Sequence, residues 1–218
     1  METAIGDITA MRDREAQPGL TDEETLRARE EKRAALAAER KAKRTPKRGI
    51  VIVNTGDGKG KTTAALGVLF RAWGREMRVV MFQFIKASTG KWGEVQAAKR
   101  IGVEIVPLGD GFTWESDNIA KDRALAAAGW AECAEKLRDP SYDVVILDEL
   151  TYPLIYGWLP IETVLDALAA RPPKQHVIIT GRDAPDALIA YADLVTEMRE
   201  IKHPYRLQGM TAQKGIDF

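Results

Sequence analysis

Asn54-Thr55-Gly56-Asp57-Gly58-Lys59-Gly60-Lys61-Thr62-Thr63 is the segment of this 218-residue chain whose residue types and spacing most directly imply chemistry. Gly56, Gly58 and Gly60 alternate, so the backbone can bend and aim several N–H groups at one anion. A helix beginning after Gly60 adds its own free donors and the positive end of its dipole. Lys61 is placed to reach triphosphate oxygens, and the Thr62 hydroxyl to ligate Mg²⁺. The Walker A pattern wants glycine five residues before Gly60, where this chain has Thr55. Gly60, Lys61 and Thr62 nevertheless keep their spacing, and the flanking strand and helix speak against a glycine-rich turn with a chance lysine.

A triphosphate site of this kind needs an acid at the end of another buried strand. Val144-Val145-Ile146-Leu147-Asp148-Glu149 supplies two. Asp148 and Glu149 can hold Mg²⁺ directly or through water; capping a following helix is their structural alternative. The two motifs predict a nucleoside triphosphate with Mg²⁺ as ligand. They do not say which bond breaks, because one fold serves many chemistries.

Other reaction classes find less support. The two histidines, His176 and His203, do not have the spacing of a zinc or haem ligand set. Cys133 is the lone cysteine, which removes a disulfide framework or a Cys-rich zinc site and favours a reducing compartment. A small GTPase would carry a base-reading Asn-Lys-x-Asp sequence, and none is present. Basic residues near the N-terminus are interleaved with acids and lack aromatics, so nucleic acid is not an expected partner. A small-molecule kinase stays open. Phe112 and Trp114, in the loop LGDGFTWESDN, either pack back onto their own domain or form an apolar platform for a large flat ligand. Tyr152, Tyr156 and Trp158 would widen such a platform.

The elements that position these residues follow from hydrophobic patterning. GIVIVNT, from Gly49, reads as a buried strand leading into the glycine loop and a helix to about Trp73. Further strands are expected at Met77–Phe84, Val103–Val106, and within SYDVVILDEL, QHVIITG and ADLVTEMRE. Helices are expected around Glu94–Arg100, Asn118–Leu137, LPIETVLDALAARP and APDALIAYA. Such alternation implies an α/β fold, a mostly parallel sheet with helices on both faces. HPYRLQGMTAQKGIDF has no regular pattern and reads as a tail laid over the domain. Residues 21–44, rich in Ala, Glu, Lys and Arg, read as an exposed helix with acids first and bases last. That helix is either a solvated face or a flap over a ligand or a partner subunit. The expected division is an extension over residues 1–47 and one domain over 48–218.

Size and charge agree with this division. At about 150 residues per domain the length allows roughly 1.5 domains. Hydrophobic residues make up 45% and charged residues 29%, which excludes wholesale disorder. Lys+Arg and Asp+Glu are both 32, so no net charge draws the chain to nucleic acid or an anionic membrane. The opening METAIGDITAMRDREAQPG lacks the basic start and apolar run of a secretory signal, and the expected location is cytoplasmic.

TGDGKGKTTAALG, VVMFQFIK, GFTWES, VVILDELTYPL, VIITGRDAPDALIAYADLVTEMREIKHPY and AQKGIDF occur in this order between about Arg48 and Phe218. Together they resemble the CobA/CobO/BtuR family of ATP:corrinoid adenosyltransferases. The Thr55 departure is normal in that family, whereas Ala87 stands where glycine is frequent. The resemblance implies a homodimeric RecA-like P-loop NTPase fold. It also implies transfer of the 5′-deoxyadenosyl group of ATP to Co(I) of a corrinoid, releasing triphosphate, with Mg²⁺ (or Mn²⁺) assisting. A reduced flavoprotein is the kind of electron donor implied. Residues Gly56 to Thr63 then match the family's phosphate loop, with Asn54 and Thr55 leading into it. Lys61 would neutralise the triphosphate, Thr62 and Glu149 would bind Mg²⁺ with Asp148 beside them, and Arg182 would contact ribose or phosphate. Phe112 and Trp114 match aromatics at the cobalt's lower face, and the helix over 21–44 could cover a neighbouring subunit's corrinoid. The competing expectations are a P-loop small-molecule kinase or NTPase and a nucleotide-binding regulatory protein.

Overall fold

A computed structural model of the chain describes residues 21–42, 47–87, 92–109 and 119–216. They fall into two compact units, Met1–Lys47 and Arg48–Phe218. Among its described residues the first holds one helix, α1 (Asp22–Ala42), with no buried residue. Its N-terminus is closed by a capping box: Thr21 Oγ1 accepts from the Glu24 amide at 3.3 Å, and Glu24 Oε2 accepts from the Thr21 amide at 2.8 Å. Acids in its first turn and Arg40 and Lys41 in its last complement the dipole. Helicity here rests on propensity and ends rather than on a core.

The second unit runs β1 (Val51–Thr55), α2 (Lys61–Trp73), β2 (Val79–Ala87), α3 (Gly93–Ile101), β3 (Glu104–Gly109), α4 (Ile119–Arg138), β4 (Val144–Asp148), α5 (Thr151–Ile155), α6 (Ile161–Ala170), β5 (His176–Thr180), α7 (Asp186–Tyr191), β6 (Leu194–Glu197) and α8 (Pro204–Gln208). Six strands form one sheet in the order β3-β2-β4-β5-β1-β6, and every neighbouring pair is parallel. Alternation along the strands divides the core between the two faces. Val51, Val53, Val80, Phe82 and Leu147 face a cluster with Trp130, Leu137, Val164 and Leu188 from α4, α6 and α7. Val79, Met81, Ile146 and Ile178 face the other, with Ala65 and Leu69 of α2 and Ala98 of α3. The expected α/β architecture with helices on both faces is the one observed.

Polar ties fix the strand starts. Asp193 pairs with both terminal guanidinium nitrogens of Arg48 and accepts from the Val51 amide at 2.9 Å, clamping β6 to the start of β1. His176 Nδ1 accepts from the Ile50 amide at 3.2 Å, a structural use of that histidine. Cys133 is fully buried in the core, and burial raises its thiol pKa well above normal, so it is inert. Two short helices differ from the sequence expectation. α5 follows the acidic strand end directly. α8 interrupts the tail that was expected to be irregular, with Pro204 at its start and Gly209 (φ 65°) closing it.

Candidate active site

The phosphate loop lies at the C-terminal edge of the sheet, where β1 gives way to α2. In a parallel sheet this edge is where crevices form. Two backbone features require glycine. Gly56 has φ 92°, and a Cβ there would sit 2.5 Å from the Met198 carbonyl oxygen. Gly60 has φ 113° and precedes the first turn of α2, which carries no side-chain cap. The loop leans on the chain leaving β6: the Gly58 amide donates to Met198 O at 2.7 Å, and the Met198 amide to Thr55 O at 2.8 Å. The uncapped turn keeps its amide donors directed at the crevice.

Lys61 spans this loop, its Nζ donating to the carbonyls of Gly56 at 2.6 Å and Gly58 at 2.9 Å. Burial lowers its pKa, and the nearby Glu149 charge opposes that shift. The ammonium is thus held in a partly desolvated place where an anion would be strongly attracted.

Asp148 is fully buried and saturated with donors. Its Oδ1 accepts from Thr180 Oγ1 at 2.7 Å and Thr62 Oγ1 at 2.9 Å, and its Oδ2 from Gln83 Nε2 at 3.2 Å. Burial raises its pKa, while the two hydroxyls lead the opposing effects. Asp148 therefore acts on Thr62: by accepting the hydroxyl's hydrogen bond it turns the oxygen lone pairs away from the carboxylate.

Glu149 has the opposite character. Its backbone is in the left-handed region (φ 62°), with its amide donating to Thr180 Oγ1 at 2.9 Å. Its Oε2 is buried without a hydrogen-bond partner, and burial, aided by the Asp148 charge, pushes the pKa from an ordinary 4.5 to about 7. An unsatisfied buried carboxylate oxygen and a fixed threonine hydroxyl lining one cleft are the kind of hard-oxygen donors that suit Mg²⁺. Among the described residues no three His, Cys, Asp or Glu side chains gather into a metal cluster. A cation here would rely on Thr62, Glu149 and oxygens from substrate or water.

The raised pKa has a sign that can be tested. Between 4.5 and about 7 the folded protein keeps a proton that the unfolded chain releases. This stabilisation is complete below the unfolded value and is lost as pH rises through about 7. Glu149→Gln cannot ionise. The ligand-free variant should be more stable to unfolding than wild type at pH 8, by up to about 3 kcal/mol, with a correspondingly higher Tm, and show no gain at pH 4.

These residues face a cleft of about 650 Å³, within the range of small-ligand sites. Asp57, Gly58, Lys59, Gly60, Lys61, Thr62, Thr63, Glu149 and Arg182 all line it. Asn54 and Thr55 are buried below it. Their groups tie β1 to the segment after β5: Asn54 O accepts from the Gly181 amide at 3.2 Å, and Thr55 Oγ1 from the Ala184 amide at 3.1 Å. Tyr152 reaches the cleft, and its ring begins a series of close aromatics, 6.1 Å to Tyr156 and then 4.9 Å to Trp158. Phe112 and Trp114 lie outside the described residues. Sequence reasoning missed Gln83 and Thr180, which hold Asp148, and Lys86 and Glu94, which also line the cleft. A glutamine inside the otherwise apolar VVMFQFI was the available signal.

Residues 47–218 match the profile of the family described as ATP:corrinoid adenosyltransferase BtuR/CobO/CobP. The chain belongs to this family. The corrinoid adenosyltransferase of Pseudomonas aeruginosa is 41% identical over 194 residues, covering 88% of this chain and 95% of that protein. Corrinoid adenosyltransferase CobA of Salmonella typhimurium is 44% identical over 198 residues, covering 90% and 99%. Escherichia coli K12 has a corrinoid adenosyltransferase 45% identical over 181 residues, covering 82% and 90%. The family match contains the whole phosphate loop, the acidic strand end and Arg182. No helix among the described residues is long and apolar enough to cross a membrane.

Proposed function

We propose that this enzyme transfers the 5′-deoxyadenosyl group of ATP to the Co(I) centre of a corrinoid and releases inorganic triphosphate. The observation that carries this reading is the loop-and-acid cleft within a chain of the adenosyltransferase family. Residues 48–218 act as a RecA-like catalytic domain; the insertion of β5 between the loop strand and the acidic strand supports that finer assignment. Residues 1–47 form an extension whose polar helix is suited to docking over the corrinoid of a neighbouring subunit in a homodimer. The setting is cytoplasmic, with a reduced flavoprotein as the electron donor.

The chemistry is attack at a saturated carbon, which needs alignment, a stabilised leaving group and exclusion of water. Amides of the loop and of the first turn of α2 bind the triphosphate, with Lys61 and Arg182 balancing its charge. Mg²⁺, or Mn²⁺ in its place, supplies further charge neutralisation when bound; Thr62 and Glu149 would hold it, and Asp148 fixes the Thr62 hydroxyl. The nucleophile brings its own electron pair and the leaving group departs as an anion, so no general base is required. That agrees with a site built without histidine.

Phe112 and Trp114 are assigned the face of the corrinoid opposite the transferred carbon. An apolar wall donates no axial ligand, and four-coordinate Co(II) is the easier form to reduce. Trp114→Ala is accordingly expected to slow adenosylation that starts from Co(II) and a reductant much more than adenosylation of preformed Co(I). Parallel assays from the two oxidation states measure this, and equal losses would leave Trp114 with a packing role alone.

The overall reaction is tested anaerobically with ATP, Mg²⁺ and chemically reduced corrinoid, following the Co–C bond by visible absorbance. Triphosphate should appear in equal amount and only when Co(I) is present. Release of ADP or phosphate without corrinoid would indicate a kinase or NTPase instead.

A further inference from the structure

Lys86 is a cation of the cleft that lies outside both the phosphate loop and the acidic strand end. It lies near the C-terminal end of β2, in the strand beside β4, and lines the same cleft as Lys61. Its ammonium is fixed in place, paired with the Glu94 carboxylate and lying 5.0 Å from the centroid of the Trp92 ring. Glu94 is held in turn by Gln83 Nε2 at 3.3 Å, the same amide nitrogen that donates to Asp148 Oδ2 at 3.2 Å. Burial alone would raise the Glu94 pKa, but the Lys86 ammonium and hydrogen bonds outweigh it and hold the group ionised. A continuous series of contacts therefore runs from Thr62 through Asp148, Gln83 and Glu94 to Lys86. It locks a cation on one wall of the cleft to the first turn of α2 on another.

We propose that Lys86 is a further catalytic residue of adenosyl transfer, donating a hydrogen bond to the triphosphate oxygen that leaves C5′, with Glu94 and Gln83 as its positioning residues. This inference rests on the adenosyltransferase reading. β2 lies between β4, which carries the acids, and β3, after which the chain enters the segment bearing Phe112 and Trp114. In the sheet β2 is separated from β1 by β4 and β5, so Lys86 lines the cleft away from the strand that leads into the phosphate loop, whereas Lys61 holds the triphosphate from the loop. In the step, the Co(I) electron pair forms the Co–C5′ bond. The C5′–O bond breaks, its pair stays on the triphosphate oxygen, cobalt is oxidised by two electrons, and no proton is transferred. Charge grows on that one oxygen, so a preplaced ammonium there favours the transition state over bound ATP. Glu94 shares the ammonium and limits what Lys86 contributes to ground-state binding.

The test uses the full-length protein with Mg²⁺, ATP and corrinoid reduced beforehand to Co(I), with Co–C formation followed by absorbance and ATP binding by calorimetry. Lys86→Met is expected to lower kcat by about 100-fold, with ATP affinity changed less than about threefold. Lys86→Arg should recover about a tenth of wild-type kcat or more, because the charge is retained. Glu94→Gln is expected to lower kcat about tenfold while tightening ATP binding, a change of sign that a merely structural ion pair would not give. A Lys86→Met kcat within about threefold of wild type, or a loss confined to ATP affinity, overturns the proposal. Lys86→Gln supplies the same comparison should the methionine variant not fold. Absence of Co–C formation by wild type overturns the adenosyltransferase reading itself, a result distinct from a Lys86 variant that works normally beside an active wild type.

Discussion

Lys61→Ala is expected to lower adenosylation on the order of 10³-fold, whether the corrinoid is supplied as preformed Co(I) or as Co(II) with a reductant. Lys61 acts on the triphosphate, which both assays share, so the oxidation state of cobalt should not alter the loss. The ammonium makes two bonds across the loop, to the Gly56 and Gly58 carbonyls, so the variant loses both the charge and the brace that shapes the cradle. Unfolding is not the expected cause. Burial already lowers the Lys61 pKa, which means that its charge is a cost to the ligand-free fold. Thermal unfolding should show an unchanged or raised Tm beside the lost activity. A variant that melts well below wild type would locate the effect in folding.

Asp148→Ala should produce the other large effect, and on both properties. Three donors, from Thr62, Thr180 and Gln83, converge on a carboxylate with no solvent exposure. Truncation leaves them without their acceptor, a loss of about 3 kcal/mol. For a chain of this size that lowers Tm by roughly 6–12 °C. Adenosylation should fall on the order of 10³-fold as well, because the Thr62 hydroxyl is no longer oriented. Asp148→Asn separates the two effects: one oxygen can still serve both hydroxyls, but the amide nitrogen then meets the Gln83 amide nitrogen donor to donor. The asparagine variant is expected to keep far more of the activity than the alanine variant, because Thr62 stays oriented, while the amide clash still lowers its stability. Circular dichroism melts and Co–C formation, measured on the same preparations, decide the matter.

The parts of this site that were legible in the sequence are those encoded by contiguous residues. Alternating glycines between the apolar Ile50–Val53 run and the helical KTTAALGVLF announce the phosphate loop, and VVIL followed by Asp148 and Glu149 announces the acidic strand end. The unbroken apolar run Val79 to Phe82, buried throughout and shared alternately between the two core clusters, likewise made a sheet covered on both faces readable. Glu94 and Lys86 belong to different elements, α3 and β2, and the pair forms only when folding brings the two together. Gln83 was visible as a polar residue in a buried strand, but its two carboxylate partners come from β4 and α3. The roles within the acidic pair were also hidden: adjacent in sequence, Asp148 points into a ring of donors, while the left-handed turn at Glu149 leaves its oxygen unmatched. α8 carried local signals, Pro204 and Gly209, that were legible but outweighed by the polar, aperiodic composition around them.

A single isotope measurement addresses the claim that carbon, not phosphorus, is attacked in this cleft. ATP carrying ¹⁸O at the oxygen bridging C5′ and the α-phosphate is incubated with the enzyme, Mg²⁺ and Co(I) corrinoid, and the products are separated for mass spectrometry. Cleavage at C5′ predicts that all of the label leaves in triphosphate and none remains with the nucleoside joined to cobalt. Label retained on adenosine or on a nucleoside phosphate would contradict the account.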